Sequence, residues 1–145
     1  DPTSKWEKGK KRPWNAALKR LCWIVGESFV KTSGHERSTY GPVYAERKAQ
    51  EIARNEAGLF ADQAAASLAA KKFGADTQAR KWYEQGKLPP ARIHLRAERY
   101  AVKFFLAHFH HVGYELLHGA PPPKPYILTQ PGHVHFISPP NWPMV

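Results

Sequence analysis

The alternation of apolar and polar positions predicts helix after helix up to residue 119, and no helical period beyond it. Over 13–31, Trp14, Leu18, Leu21, Val25 and Phe29 recur at steps of three and four. That spacing predicts a helix with one apolar face, and Pro13 suits its first position. TSGHER at 32–37 reads as a turn. Ser38 then caps a helix running to about Asn55, with Tyr40, Val43, Tyr44 and Ile52 on its inner side and Gly58 as its stop. The alanine-rich run FADQAAASLAAKKF predicts a third helix over 60–73, closed by Gly74. Asp76 or Thr77 restarts a short helix, TQARKWYEQ, that ends at Gly86.

The longest element follows LPPA. Pro90 opens it, Gly119 and three prolines close it, and at 1.5 Å per residue it would span roughly 40 Å. On its surface Leu95, Val102, Phe105, Leu106, Phe109, Val112 and Leu116 form a broad apolar face. Ile93, Ala97, Tyr100 and Phe104 form a second stripe, continued by His108, His111, Glu115 and His118. The tail from 120 is rich in proline and reads as extended; YILT and HVHFI are the segments able to form short strands. The expected fold is therefore all-α, four to five helices around a long C-terminal one. A basic flexible arm (1–12) precedes a helical domain (13–119), and a Pro-rich tail (120–145) follows it.

Charge changes the picture. The chain carries 22 Lys and Arg against 12 Asp and Glu, a formal net charge of +10. Such a surplus favours an anionic partner, most simply nucleic acid. Lys10, Lys11 and Arg12 on the arm, and Lys19 and Arg20 on the first helix, are candidate phosphate contacts. Arg92, Arg96, Arg99 and Lys103, at i, i+4, i+7 and i+11, would form a positive ridge on the long helix. Trp6 and Trp14 interleave with the lysines of the arm as stacking sites for bases would. The single cysteine, Cys22, excludes an intramolecular disulfide and fits the reducing cytoplasm. Its apolar setting suits packing better than nucleophilic chemistry. No run of apolar residues is long enough to span a membrane.

Five of the eight histidines lie within 91–119. His108, His111, Glu115 and His118 share a helix face, and imidazole with carboxylate suits zinc. A metal-binding helical protein is thus an alternative reading, with His133 and His135 of GHVHF as further ligands. The spacing is neither HExxH nor the ExxH pairs of di-iron bundles. Because the four residues merely continue an apolar stripe, packing is the simpler account, and no metal ligand is assigned. There is no Gly-rich phosphate loop, no GxSxG elbow and no clustered carboxylates. A stand-alone basic structural or phage-associated protein is a third class.

GKKRPWNAALKRLCWIVGESFVK resembles the C-terminal part of the transposases of the DEDD-type insertion-sequence family, relatives of the pilin gene invertase. There a basic loop leads into an Asn-x-x-Leu-Arg/Lys helix, matched here by Asn15, Leu18 and Lys19. VYAERK at 43–48 resembles the Tyr-x-x-Arg/Lys helix that follows, and RAERYAVKFFLAHFHHVGYELLHG at 96–119 resembles a late helix. The resemblance implies DNA transposition and recombination by a mobile element, with DNA and in some members a structured RNA as partners, in a homo-oligomer. It also implies magnesium, held by a RuvC-like domain absent from this chain; no cofactor is expected in the chain itself. The family's nucleophilic serine precedes the Asn-Leu helix. Ser4 alone lies in a comparable place, without the usual following glycine, so no catalytic residue is assigned. With Asp1 first and Met144 the sole methionine, the reading expects a piece of a larger protein, inactive in cleavage without its N-terminal catalytic domain.

Overall fold

The computed structural model describes residues 9–132 and 136–143. Five helices follow in order: α1 (Ala16–Lys31), α2 (Tyr40–Glu56), α3 (Ala61–Ala70), α4 (Gln78–Glu84) and α5 (Pro90–His118). A single 3-10 turn spans Tyr126–Thr129. The fold is all-α, and no strand occurs among the described residues. No helix among them is long and apolar enough to cross a membrane. The chain divides into two compact units, Asp1–Val102 and Lys103–Val145. The division falls inside α5.

Local chemistry accounts for the helix ends. α1 starts at Ala16 rather than at Pro13, because Asn15 is the N-cap and its Oδ1 accepts from the Leu18 backbone N–H at 3.0 Å. Ser38 caps α2 as expected, its Oγ accepting from the Gly41 N–H at 3.1 Å. Gly58, after α2, and Gly119, after α5, take φ of +76° and +67°, a region that glycine enters without a Cβ clash.

In the first unit, Phe60, Ala64, Tyr83, Leu88 and Ile93 form one core, with Leu68, Phe73 and Ala79 against it. Tyr44, Ala97 and Ala101 form a second, covered by Phe29, Val30 and Val43. The side of α5 turned inward here is thus Ile93, Ala97 and Ala101. Of the broad apolar face, Val102 is buried as well, whereas Leu95 is 38% exposed in this unit and, in the second unit, Phe109 and Leu116 are 68% and 70% exposed. Small side chains win the inward position because they let neighbouring helices approach closely. α1 departs in the same way. Leu18 and Leu21 are 51% and 56% exposed, and the buried residue of the helix is Gly26. Ile52, placed on the inner side of α2, is also exposed.

Two polar features tie α2 to α5 and the segment before it. Buried Asn55 donates from Nδ2 to the Leu88 carbonyl at 3.0 Å and accepts from the Leu88 N–H at 2.8 Å. It thereby satisfies both backbone groups of a residue that enters no ladder. Glu51 is fully buried on α2. Arg96 Nε reaches its Oε2 at 2.6 Å, and Arg47 and Arg54 approach its Oε1 at 2.5 and 3.4 Å. The guanidiniums of Arg54 and Arg96 lie over the Phe60 ring, and that of Arg47 over Tyr100.

In the second unit the tail residues engage the helical residues of that unit. His108 Nε2 is 2.9 Å from the Ile137 carbonyl oxygen, and Trp142 Nε1 donates to Glu115. YILT forms a 3-10 turn rather than a strand: the Pro125 carbonyl accepts from the Leu128 N–H, and Thr129 Oγ1 donates to the Tyr126 carbonyl. Local bonds outcompete a ladder where neighbouring prolines lack N–H donors. Of HVHFI, 133–135 lie outside the described residues.

Burial alone would raise the Glu51 carboxyl, but the Arg96 hydrogen bond and the charges of Arg96, Arg47 and Arg54 outweigh it and hold the group below its ordinary value. A depressed carboxyl adds stability above its unfolded-state value and loses it as pH falls through the folded one. Stability should therefore fall with acidification below about pH 4.5, the reference value of the group. Glu51→Ala should remove that dependence and cost about 3–5 kcal/mol in urea denaturation at pH 7, as removal of one partner of a buried pair does. A loss below about 1 kcal/mol would show that the cluster is not a stabilising element.

Candidate functional site

Two groups of residues have functional potential, and the first is the set of cations. Lys10, Lys11, Arg12, Lys19 and Arg20 are all exposed around the start of α1. Lys19 Nζ sits 5.0 Å from the centre of the Trp14 ring. Ser4 and Trp6 lie outside the described residues. On α5, Arg92, Arg99 and Lys103 are exposed, but Arg96 is half-buried and held by Glu51 and Phe60. Arg99 turns its Nε to the Leu95 carbonyl at 3.0 Å. Arg92, Arg96 and Arg99 belong to the first unit and Lys103 to the second. The expected ridge is therefore interrupted at Arg96, whose charge is already balanced inside the fold.

Among the described residues, the histidine-rich end of α5 does not gather into a ligand set. His108 is taken by Ile137, and Glu115 by Trp142. His111 Nε2 lies 3.7 Å from Glu115 Oε2, and its ring faces Phe136. His118 packs on Tyr114 with ring centres 4.3 Å apart. These are packing roles. His133 and His135 lie outside the described residues.

Among the described residues, metal-ligating side chains converge at a different place, formed by Glu27 of α1 with His94 and Glu98 of α5. Their donor atoms all lie within 4.8 Å of one another. His94 Nε2 is 3.7 Å from Glu98 Oε2 and 4.0 Å from Glu27 Oε1. The other ring nitrogen, Nδ1, is 2.8 Å from the Tyr44 hydroxyl on α2. Three helices thus position one imidazole. His94 and Glu98 are neighbours because four residues make about one helical turn. Both flank the buried Ile93, Ala97 and Ala101, which draw Glu98 inward to 3% exposure.

Gly26 makes room for that carboxylate. A Cβ on Gly26 would overlap Glu98 Oε1 and lie 2.7 Å from its Cγ. Glu98 Oε2 is buried with no hydrogen-bond partner. Burial, and then the negative charge of Glu27, raises the Glu98 carboxyl above its ordinary value, against smaller opposite effects of His94 and Arg99.

Sequence reasoning did not single out Glu27, His94 or Glu98. The available signal was the His-x-x-x-Glu spacing at 94–98 on the Ile93–Ala97 stripe. Nothing in the sequence marks Glu27 as its neighbour.

Gly26→Ala should destabilise the protein by about 1–3 kcal/mol, the usual range for overpacking. Much of that loss should disappear in a Glu98→Ala background, giving a coupling energy above about 0.5 kcal/mol in a double-mutant cycle followed by urea denaturation. Simple additivity would mean that the two helices do not meet at this point. Compared with protein-family models, with curated proteins and with solved structures, the chain finds no significant match in any of the three.

Proposed function

We propose that the chain binds nucleic acid through the basic approach to α1 and the exposed side of that helix. The observation that carries the reading is where the acids and cations lie. Over residues 9–31 there are six cations, Lys10, Lys11, Arg12, Lys19, Arg20 and Lys31, and one acid, Glu27. That acid lies beside His94, 4.0 Å from its Nε2. Glu51 and Glu98 are also buried, so their charges add little to the surface. The lysine and arginine ion pairs on Glu51, Glu56 and Glu84 involve none of Lys19, Arg20 and Arg92. A surface left positive in this way attracts a polyanion by releasing its condensed counterions. The exposed indole of Trp23 and the Trp14 ring beneath Lys19 offer surfaces on which bases stack.

The resemblance to the DEDD-type transposases selects DNA as the polyanion and transposition in the cytoplasm as the setting. Asn15 and Leu18, two residues that carry it, have a physical role here as N-cap and capped N–H. That role orients α1 and the cations that precede it.

Lys11→Ala/Lys19→Ala/Arg20→Ala should weaken duplex DNA binding. It should also lower the slope of log affinity against log salt by up to about 3, near 0.9 for each phosphate no longer neutralised. Fluorescence anisotropy across a salt series measures both. Arg96 is left out because its removal would uncover buried Glu51. Lys71→Ala/Lys72→Ala/Lys81→Ala provides a charge-matched control. An unchanged slope in the α1 variant, or an equal loss in the control, would remove α1 from the interface.

A further inference from the structure

Glu98 sets a problem that its neighbours within the protein leave unsolved. An ionised carboxylate is rarely buried without a partner, and an acceptor oxygen shut away from donors is unfavourable. Glu98 is 3% exposed, and its Oε2 has no hydrogen-bond partner. The nearest cationic candidate, His94 Nε2, stands 3.7 Å away, beyond hydrogen-bond range. A second carboxylate, Glu27, is turned to the same nitrogen at 4.0 Å. Two acids beside one imidazole repel each other, yet the fold brings them together and keeps Gly26 without a side chain to admit one of them.

We propose that Glu27, His94 and Glu98 form a binding site for a single divalent transition-metal ion. The donor set, one imidazole nitrogen and two carboxylate oxygens, suits zinc, manganese or iron(II). Metal–ligand bonds of about 2.0–2.2 Å in a tetrahedral site place neighbouring donors roughly 3.4 Å apart. The two separations from His94 Nε2, 3.7 and 4.0 Å, are near that value, and with all three donors within 4.8 Å of one another the side chains need close by no more than roughly 1.4 Å. Tyr44 supplies the orienting contact that metal-bound histidines usually have. When His94 Nδ1–H donates to the tyrosine oxygen, the lone pair of Nε2 points toward the two acids. With three protein ligands the ion keeps at least one position for water or an anion, as metal centres that handle ligands do. This site is independent of nucleic-acid binding and stands or falls separately.

The test is calorimetric titration of zinc chloride into the untagged, chelator-treated 145-residue chain, with circular dichroism to verify folding. The expected result is saturation at one ion per chain. Glu27→Gln, His94→Gln and Glu98→Gln should each weaken binding more than about 100-fold, beyond what removal of an orienting partner costs. Tyr44→Phe should weaken it roughly 10- to 100-fold with unchanged stoichiometry. Glu98→Gln keeps the shape of the side chain and removes a buried charge, so it should remain folded. His108→Asn/His111→Asn/His118→Asn should bind as the parent does. Two outcomes overturn the proposal. One is the absence of saturable uptake, which would make the trio a buried ion cluster. The other is zinc affinity that survives in Glu98→Gln and His94→Gln but vanishes in the variant of the α5 C-terminal histidines.

Discussion

The fold of the first unit depends on a carboxylate that has left water. Glu51 would be a heavy burden alone, since an isolated ion in a protein interior loses its hydration without return. Three arginines remove the burden, and they come from two helices: Arg47 and Arg54 from α2, Arg96 from α5. Their flat guanidiniums also cover Phe60 and Tyr100, so the charge centre and the apolar core share one boundary. A buried ion pair of this kind adds less stability than its contacts suggest. Arg96 is the member that carries the cluster across from α2 to α5.

Two glutamates of the same unit sit in opposite surroundings. The arginines on both oxygens of Glu51 hold its carboxyl below the ordinary value, whereas burial and then the charge of Glu27 push the Glu98 carboxyl above it. Both are almost entirely withdrawn from solvent. The contrast separates a charge used to assemble the fold from one whose balance is incomplete within it. Structural ion pairs and functional groups alike perturb titration, and here the difference lies in the carboxylates themselves: both oxygens of Glu51 meet arginines, whereas Oε2 of Glu98 has no hydrogen-bond partner.

Much of the architecture was legible in the sequence because its punctuation is strong. Pro90 and Gly119 bound α5 where the pattern placed them, and Gly86 and Ser38 serve as the expected stop and cap. What the periodicity misjudged was direction. Counting large apolar residues put Leu18, Leu21 and Phe109 on apolar faces, yet all three are exposed, whereas Gly26, Ala97 and Ala101 are buried. Size favours burial only where the backbones stand apart; where they meet, the absence of a side chain decides. The arginine stripe was equally visible, yet a one-dimensional pattern cannot show that Arg96 meets a carboxylate 45 positions earlier in the chain. The Glu27–His94 pairing lay hidden for the same reason, since the helices that carry its members are separated by most of the unit.

The Asn55–Leu88 clasp has a consequence for how the unit is assembled. Its two hydrogen bonds join residues 33 positions apart, and everything between them, including α3 and α4, leaves and returns at one point. Closing such a loop costs an entropy that grows only with the logarithm of its length. The α3–α4 segment is therefore a module with a fixed doorway. Within it Ala64 of α3 and Tyr83 of α4 share a core with Ile93 of α5, so only the exposed 74–77 connection can lengthen or shorten at little expense to α1, α2 and α5, while the doorway residues and the Phe60 and Leu88 side chains beside them cannot change without being felt on both sides. A circularly permuted chain, or one carrying a fusion within that excursion, would keep the rest of the unit in register for as long as Asn55 still finds Leu88.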